Sequence, residues 1–194
     1  GRGNLRYLSP LSFDERHRLS ANIDYRYGSG IQYNGPRWFG ADVFSEAGIS
    51  LQANAASGRP YTKEQRPDRF GSSGVGGAIN GARLPWNFSL DMRIDKSFRI
   101  AGKENGKPLF MNVYLRVENL LDQRNVVGVY AASGSAYDDG YLVTPNGQSS
   151  IQTLIDSGRE EDVDNYLISY QWGELVPGFF TLPRRVYLGA VLQF

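Results

Sequence analysis

The sequence predicts an all-β fold, an antiparallel transmembrane β-barrel, on the strength of three observations. Apolar and polar residues alternate in five separate stretches, which is the pattern of strands with two different faces. Each stretch runs for about 10–13 residues, whereas strands of globular proteins cluster near 5–6. The connections differ in length, and short turns facing long loops are typical of membrane barrels.

The five strands are expected at about residues 15–28, 44–57, 87–100, 108–121 and 184–194. The first shows the pattern clearly, because Leu19 and Ile23 take one face while Ser20 and Asp24 take the other. The last keeps its alternation up to Phe194. At about 3.3 Å per residue and a tilt near 45°, such strands climb roughly 25–30 Å, which matches the apolar band of an outer-membrane barrel.

The connections predict the two sides of the barrel. The shorter ones, 28–44 and 101–108, are expected to be periplasmic, and Asn105-Gly106 suits a tight turn. The longer ones, 57–86 and 122–183, are expected to be extracellular loops. The second long loop contains a helix-like piece, SSIQTLIDSGREEDVDNYLISY, in which Ser149-x-x-Gln152 predicts a capping box. We find no linker that would divide the chain.

Charged residues dominate the polar faces of the predicted strands. In a wide barrel they face a wet lumen, where opposite charges on neighbouring strands can pair. On a soluble β-sandwich they would form the solvated side, but a sandwich rarely sustains five strands of this length. The predicted lumen-facing charges are Arg18, Asp24, Arg26, Asp91, Arg93, Asp95, Arg99, Arg116 and Glu118.

Composition excludes several functions. Lys+Arg 21 against Asp+Glu 20 gives a net charge of +1, so we expect no nucleic-acid partner. With no cysteine and a single histidine, His17, a transition-metal site is disfavoured. Asp138 and Asp139 precede Gly140 and could hold Ca²⁺, but the EF-hand spacing is absent and a turn explains them more simply. We expect no cofactor and no enzymatic activity.

Four stretches of the chain resemble TonB-dependent outer-membrane receptors. The opening PLSFDERHRLSANIDYRYG resembles the start of a late barrel strand, and GAINGARLPWNFSLDMRIDKSF resembles a second strand of that family. VYLRVENLLDQRNVVGVYAASGSAYDDGYL resembles the strand and loop with the family's N-L-[FL]-[DN] signature, and LPRRVYLGAVLQF resembles its C-terminal strand. The likeness is greatest to the Oar-like branch, whose members carry a carboxypeptidase-regulatory-like domain.

The resemblance implies a receptor and transporter in the outer membrane of a Gram-negative bacterium, with TonB-energised uptake of a bulky nutrient. Since the family's barrels have about 22 strands, residues 1–194 are expected to be the C-terminal part of a barrel, without its plug and N-terminal strands. The implied partners are outer-membrane lipid, the rest of the barrel and plug, TonB through the missing N-terminal part, and the barrel-assembly machinery. A surface lipoprotein is a further candidate partner.

The closing strand resembles the assembly signal of outer-membrane proteins, which alternates apolar residues and ends on an aromatic. Its residues here are Leu188, Gly189, Ala190, Leu192 and Phe194. Other functions remain open beside transport: a structural or interaction barrel that transports nothing, or a barrel segment that is a client of the assembly or secretion machinery. An outer-membrane enzyme is disfavoured, because the chain lacks a nucleophile and base constellation.

Overall fold

The computed structural model describes residues 8–101 and 108–193, and it confirms an antiparallel β architecture. Within these ranges the strands are β1 (Arg18–Arg26), β2 (Ala47–Ala56), β3 (Pro60–Tyr61), β4 (Glu64–Asp68), β5 (Gly71–Val75), β6 (Ala82–Arg83), β7 (Asn87–Ala101), β8 (Leu109–Glu118) and β9 (Arg185–Gln193). The helices are α1 (Pro145–Asp156) and α2 (Asp162–Glu174). Neither helix is long and apolar enough to cross a membrane.

The largest sheet has five strands in the order β1-β2-β7-β8-β9. These lie where the alternation predicts strands, although four of them are only 9 or 10 residues long and β7 has 15. Antiparallel register pairs Ile94 with Leu115, and Leu115 with Leu188. The register of β7 and β8 shifts between Arg99 and Ala101, as at a β-bulge.

The chain folds into two compact units. The sheet unit contains Leu19–Ala55, Phe88–Gln123 and the residues from Leu182 onward. The loop unit contains the residues up to Arg18 together with Ala56–Asn87 and Arg124–Thr181. Each unit is assembled from separate stretches of chain, so no single linker divides them. The predicted Asn105-Gly106 turn lies outside the described residues.

The loop unit has its own small core. Strand β3 pairs with β6, and β4 pairs with β5, so the first long connection forms two short hairpin-like ladders. Tyr130, Ala136 and Tyr170 are buried. The ring of Phe70 stacks on Tyr170 with 4.9 Å between ring centres, which fastens the first long connection to α2.

The helical segment differs from its prediction at both ends of α1. A capping box at Ser149 is wrong, because the N-cap of α1 is Thr144, five residues earlier. The Thr144 hydroxyl accepts from the Gly147 N–H at 3.1 Å, and Pro145 follows. Threonine and then proline is a strong helix start. The segment also forms two helices rather than one, since Gly158 adopts φ +72° just after α1, where a helix ends.

Candidate functional site

The large sheet has one apolar face and one polar face. Ile94, Leu115 and Leu188 form one cross-strand row, and Asp95 and Tyr114 pair in the next row. Successive side chains along a strand point to opposite faces. The first row therefore belongs to the apolar face and the second to the polar face.

Several apolar side chains of the sheet are exposed, whereas one carboxylate of its polar face is buried. The apolar side chains of Ile23, Ile94 and Leu188 are 64%, 41% and 79% exposed, whereas the polar-face Asp95 is only 7% exposed. In a water-soluble antiparallel sheet the apolar face is covered by the core and the charged face is solvated. A contiguous exposed apolar surface indicates contact with a protein or a membrane.

Lys96 is a cation on the apolar face. It pairs with Val113 in the row between Ile94 and Phe98. Its ammonium donates to the carbonyl of Val43 and lies 5.1 Å from the centre of the Phe98 ring. The long side chain thus carries its charge away from the aliphatic row to a backbone acceptor, as lysines beside apolar surfaces commonly do.

A hydrogen-bonded network fills the centre of the polar face. Arg26 Nη2 donates to both carboxylate oxygens of Asp95, at 2.9 and 3.0 Å. Asn112 donates to the same carboxylate at 2.9 Å and to the Ser97 hydroxyl at 3.1 Å. A buried carboxylate is tolerated only when it is paired and hydrogen-bonded, and these donors satisfy Asp95.

Gly48 makes the Arg26–Asp95 contact possible. Arg26 lies on β1 and Asp95 on β7, so the guanidinium has to cross the intervening strand β2. A Cβ atom at Gly48 would lie 2.8 Å from Arg26 Nη2. The missing side chain leaves room for the guanidinium beside Gly48.

Gly189 has a similar role on the last strand. It pairs with Tyr114, and a Cβ atom at position 189 would come within 2.5 Å of Cζ and Oη of that ring. The Arg93 guanidinium covers the ring at 4.3 Å from its centre. An aromatic ring that covers a strand glycine stabilises the glycine's exposed backbone.

The other predicted polar-face charges have local partners or are exposed. Glu118 binds Arg116 at 2.8 Å and Arg185 at 2.6 Å. Asp91 accepts from the Asn119 N–H at 2.8 Å. Three predicted charges remain. Arg18 binds Glu15 at 2.7 Å in the loop unit, and Asp24 and Arg99 are exposed.

The residues of the predicted assembly signal divide between the two faces. Leu188, Ala190 and Leu192 pair with Leu115, Val113 and Met111 on the apolar face. Gly189 lies on the polar face under Tyr114. Phe194 lies outside the described residues.

A cluster of three carboxylates lies in the loop unit. The carboxylate oxygens of Asp138, Asp139 and Glu174 lie within 4.8 Å of one another. Asp139 is fully buried, and it accepts from the Phe70 N–H at 2.7 Å and the Tyr170 hydroxyl at 2.6 Å through one oxygen. Protein donors therefore occupy positions that Ca²⁺ would need, since Ca²⁺ takes six to eight oxygen ligands.

Burial shifts the pKa of two side chains at this cluster. It raises the pKa of Glu174 above 4.5, with the nearby Asp139 and Asp138 charges acting in the same direction. Burial also raises the pKa of Tyr170, helped by its hydrogen bond to Asp139. Burial thus disfavours the charged form of Glu174, and the cluster is a buried, hydrogen-bonded centre.

An open cleft lies beside the cluster. It has a volume of about 670 Å³, within the 300–1,000 Å³ range of ligand sites. Tyr137, Trp172, Leu142 and Leu175 supply its apolar walls. Asp138, Gln171 and Glu174 are the polar residues that line it.

Sequence reasoning found Asp138 and Asp139 but missed Glu174, Tyr170 and Trp172. One available signal was charge: residues 125–181 contain eight acidic side chains and one arginine, a net charge of −7 in a chain of net charge +1. That imbalance marks the segment as unlike the rest of the chain.

Comparison with known proteins adds no relative. No protein-family model, no curated protein and no solved structure matches the chain.

Proposed function

We propose that this chain is part of the barrel of an outer-membrane receptor that takes up a bulky nutrient with energy from TonB. The observation that carries the proposal is that Ile23, Ile94 and Leu188 are exposed on the apolar face, while Asp95 on the other face is buried in a polar network. A lipid bilayer would cover the apolar face, and the barrel lumen would enclose the polar face.

Strand length supports the same proposal. A membrane-spanning strand needs about 9–11 residues when tilted near 45°, and β1, β2, β8 and β9 have 9 or 10. The outer strands of the sheet, β1 and β9, would pair with further strands of the same barrel, which would cover both edges.

The proposal assigns different environments to the connections. The long ones, 57–86 and 122–183, would lie on the cell surface and contribute to capture of the nutrient. A plug, TonB and the assembly machinery would be the protein partners, the last of these through β9. No catalytic step and no cofactor is part of the proposal.

Arginine substitutions test the placement of the faces. Arginine at Ile23 or Leu51 is expected to cost roughly 2–4 kcal/mol of folding free energy near the bilayer midplane. The matched control is Gln52→Arg, because Gln52 is exposed on the polar face of the same strand as Leu51. Asn112 is unsuitable as a control, since it donates to Asp95 and Ser97.

The measurement is unfolding of the membrane-extracted protein in uncharged detergent, beside the yield in the outer-membrane fraction. A large difference between Leu51→Arg and Gln52→Arg supports the proposal, whereas equal costs would contradict it. TonB dependence is a separate question. Cross-linking of TonB to the assembled receptor supports transport, and its absence favours a structural barrel.

A further inference from the structure

We propose that the cleft beside α2 binds a cationic ligand, either a small organic amine or the basic side chains of a short peptide. The cleft combines exposed aromatic rings with an accessible carboxylate, in the most acidic segment of the chain. Binding at this site holds whether or not the chain belongs to a transporter.

The aromatic walls are suited to a cation. Trp172 is 72% exposed and Tyr137 is 57% exposed, and both residues line the cleft. Tyr137 is braced from the side by Phe180, with 5.0 Å between ring centres. The negative faces of tryptophan and tyrosine rings attract ammonium and guanidinium groups that approach within about 6 Å.

Asp138 supplies the charge that a ligand can reach. It is exposed at the cleft, whereas Asp139 and the other lining acid, Glu174, are buried. One Asp138 oxygen accepts from the Gly140 N–H at 2.7 Å, and the Ser133 hydroxyl donates to the Asp138 carbonyl at 2.5 Å. These local bonds fix the loop, so the carboxylate is held at the cleft before a ligand arrives.

Charge complementarity decides the class of occupant. Eight acidic side chains against one arginine in residues 125–181 repel anions and attract cations over distances of about 10 Å at 0.1 M salt. Gln171 offers both a donor and an acceptor at the cleft wall. A neutral sugar could stack on the aromatic rings and hydrogen-bond to the Gln171 amide, but the negative charge of the segment would not attract it.

The test is calorimetric titration of the full chain in uncharged detergent at low salt. The probes are trilysine, its fully acetylated form, tetramethylammonium and maltotriose. We expect saturable one-to-one binding of trilysine, about tenfold tighter than binding of the acetylated peptide. Binding of tetramethylammonium as well would identify a small-amine site, and binding of trilysine alone would identify a peptide site.

Three variants locate the binding. Trp172→Ala and Asp138→Asn are each expected to weaken trilysine binding about fivefold, the order of one cation–π or charge contact. Trp172 is exposed and asparagine keeps an acceptor for Gly140, so both variants should fold. Asp156→Asn is the control, because Asp156 ends α1 in the same acidic segment but does not line the cleft.

Three results would overturn the proposal. They are saturable binding of maltotriose without trilysine, no binding of either cation, or equal weakening by Asp156→Asn and Asp138→Asn. The last result would mean that the acidic segment attracts cations diffusely, without a site. These results concern ligand binding alone, whereas the membrane proposal is tested by arginine substitutions in the sheet. Failure of one proposal can therefore be distinguished from failure of the other.

Discussion

Replacing Gly189 with alanine is expected to destabilise the sheet through a single ring. The new Cβ atom would lie 2.5 Å from Cζ and Oη of Tyr114, closer than unbonded heavy atoms tolerate. The ring would have to turn, and it would then lose its contact with Arg93 at 4.3 Å. Overpacking of this kind typically costs about 1–3 kcal/mol.

A double-mutant cycle isolates that contact. In a Tyr114→Ala background, Gly189→Ala is expected to cost less than about 0.5 kcal/mol, because contacting residues are not additive. The assay is denaturant unfolding of the protein in detergent, followed by heat-modifiable migration. Gly77→Ala is the control, since a Cβ atom at Gly77 would meet nothing within 4 Å.

The result that would refute this reasoning is an equal cost of Gly189→Ala in both backgrounds. A lower yield in the membrane with unchanged unfolding would instead assign Gly189 to recognition by the assembly machinery, as the resemblance implies.

Three further predictions concern the buried acids and the chain end. Tyr170→Phe removes the 2.6 Å hydrogen bond to Asp139 and should lower unfolding free energy by about 1.5–3 kcal/mol, measured by denaturant unfolding. Burial raises the pKa of Glu174 above 4.5, so the stability that this side chain contributes is full below pH 4.5 and is lost as pH rises through the raised pKa. In Glu174→Gln, denaturant unfolding measured from about pH 4 upward should no longer show that loss of stability. Deleting Phe194 should lower the amount of assembled barrel and leave its melting point nearly unchanged, as quantified in membranes.

Local patterns in the sequence predict the sheet but not its interior contacts. Alternation has a period of two residues, so five runs suffice to place strands and to separate Ile94 from Asp95. The roles of Gly48 and Gly189 depend on register, which brings together residues far apart in the chain. The residues around each glycine in the sequence do not distinguish it from a glycine in an ordinary turn.

The acidic cluster shows the same limit. Asp139 and Glu174 are 35 residues apart, and the Asp139 N–H donates to the Glu174 carboxylate at 3.0 Å. No motif spacing indicates that contact. The start of α1, in contrast, could have been predicted from the sequence. Threonine followed by proline is a common helix start, and the prediction of a start at Ser149 did not use it.

The central claim is that the apolar face of the sheet contacts lipid, and fluorescence quenching tests it most directly. The chain has no cysteine, so Ile94→Cys and Gln52→Cys each provide one attachment point for an environment-sensitive fluorophore. In bilayers that contain spin-labelled lipid, we predict strong quenching at position 94 and weak quenching at position 52. Equal quenching at both positions, or access of aqueous iodide to position 94, would contradict the claim.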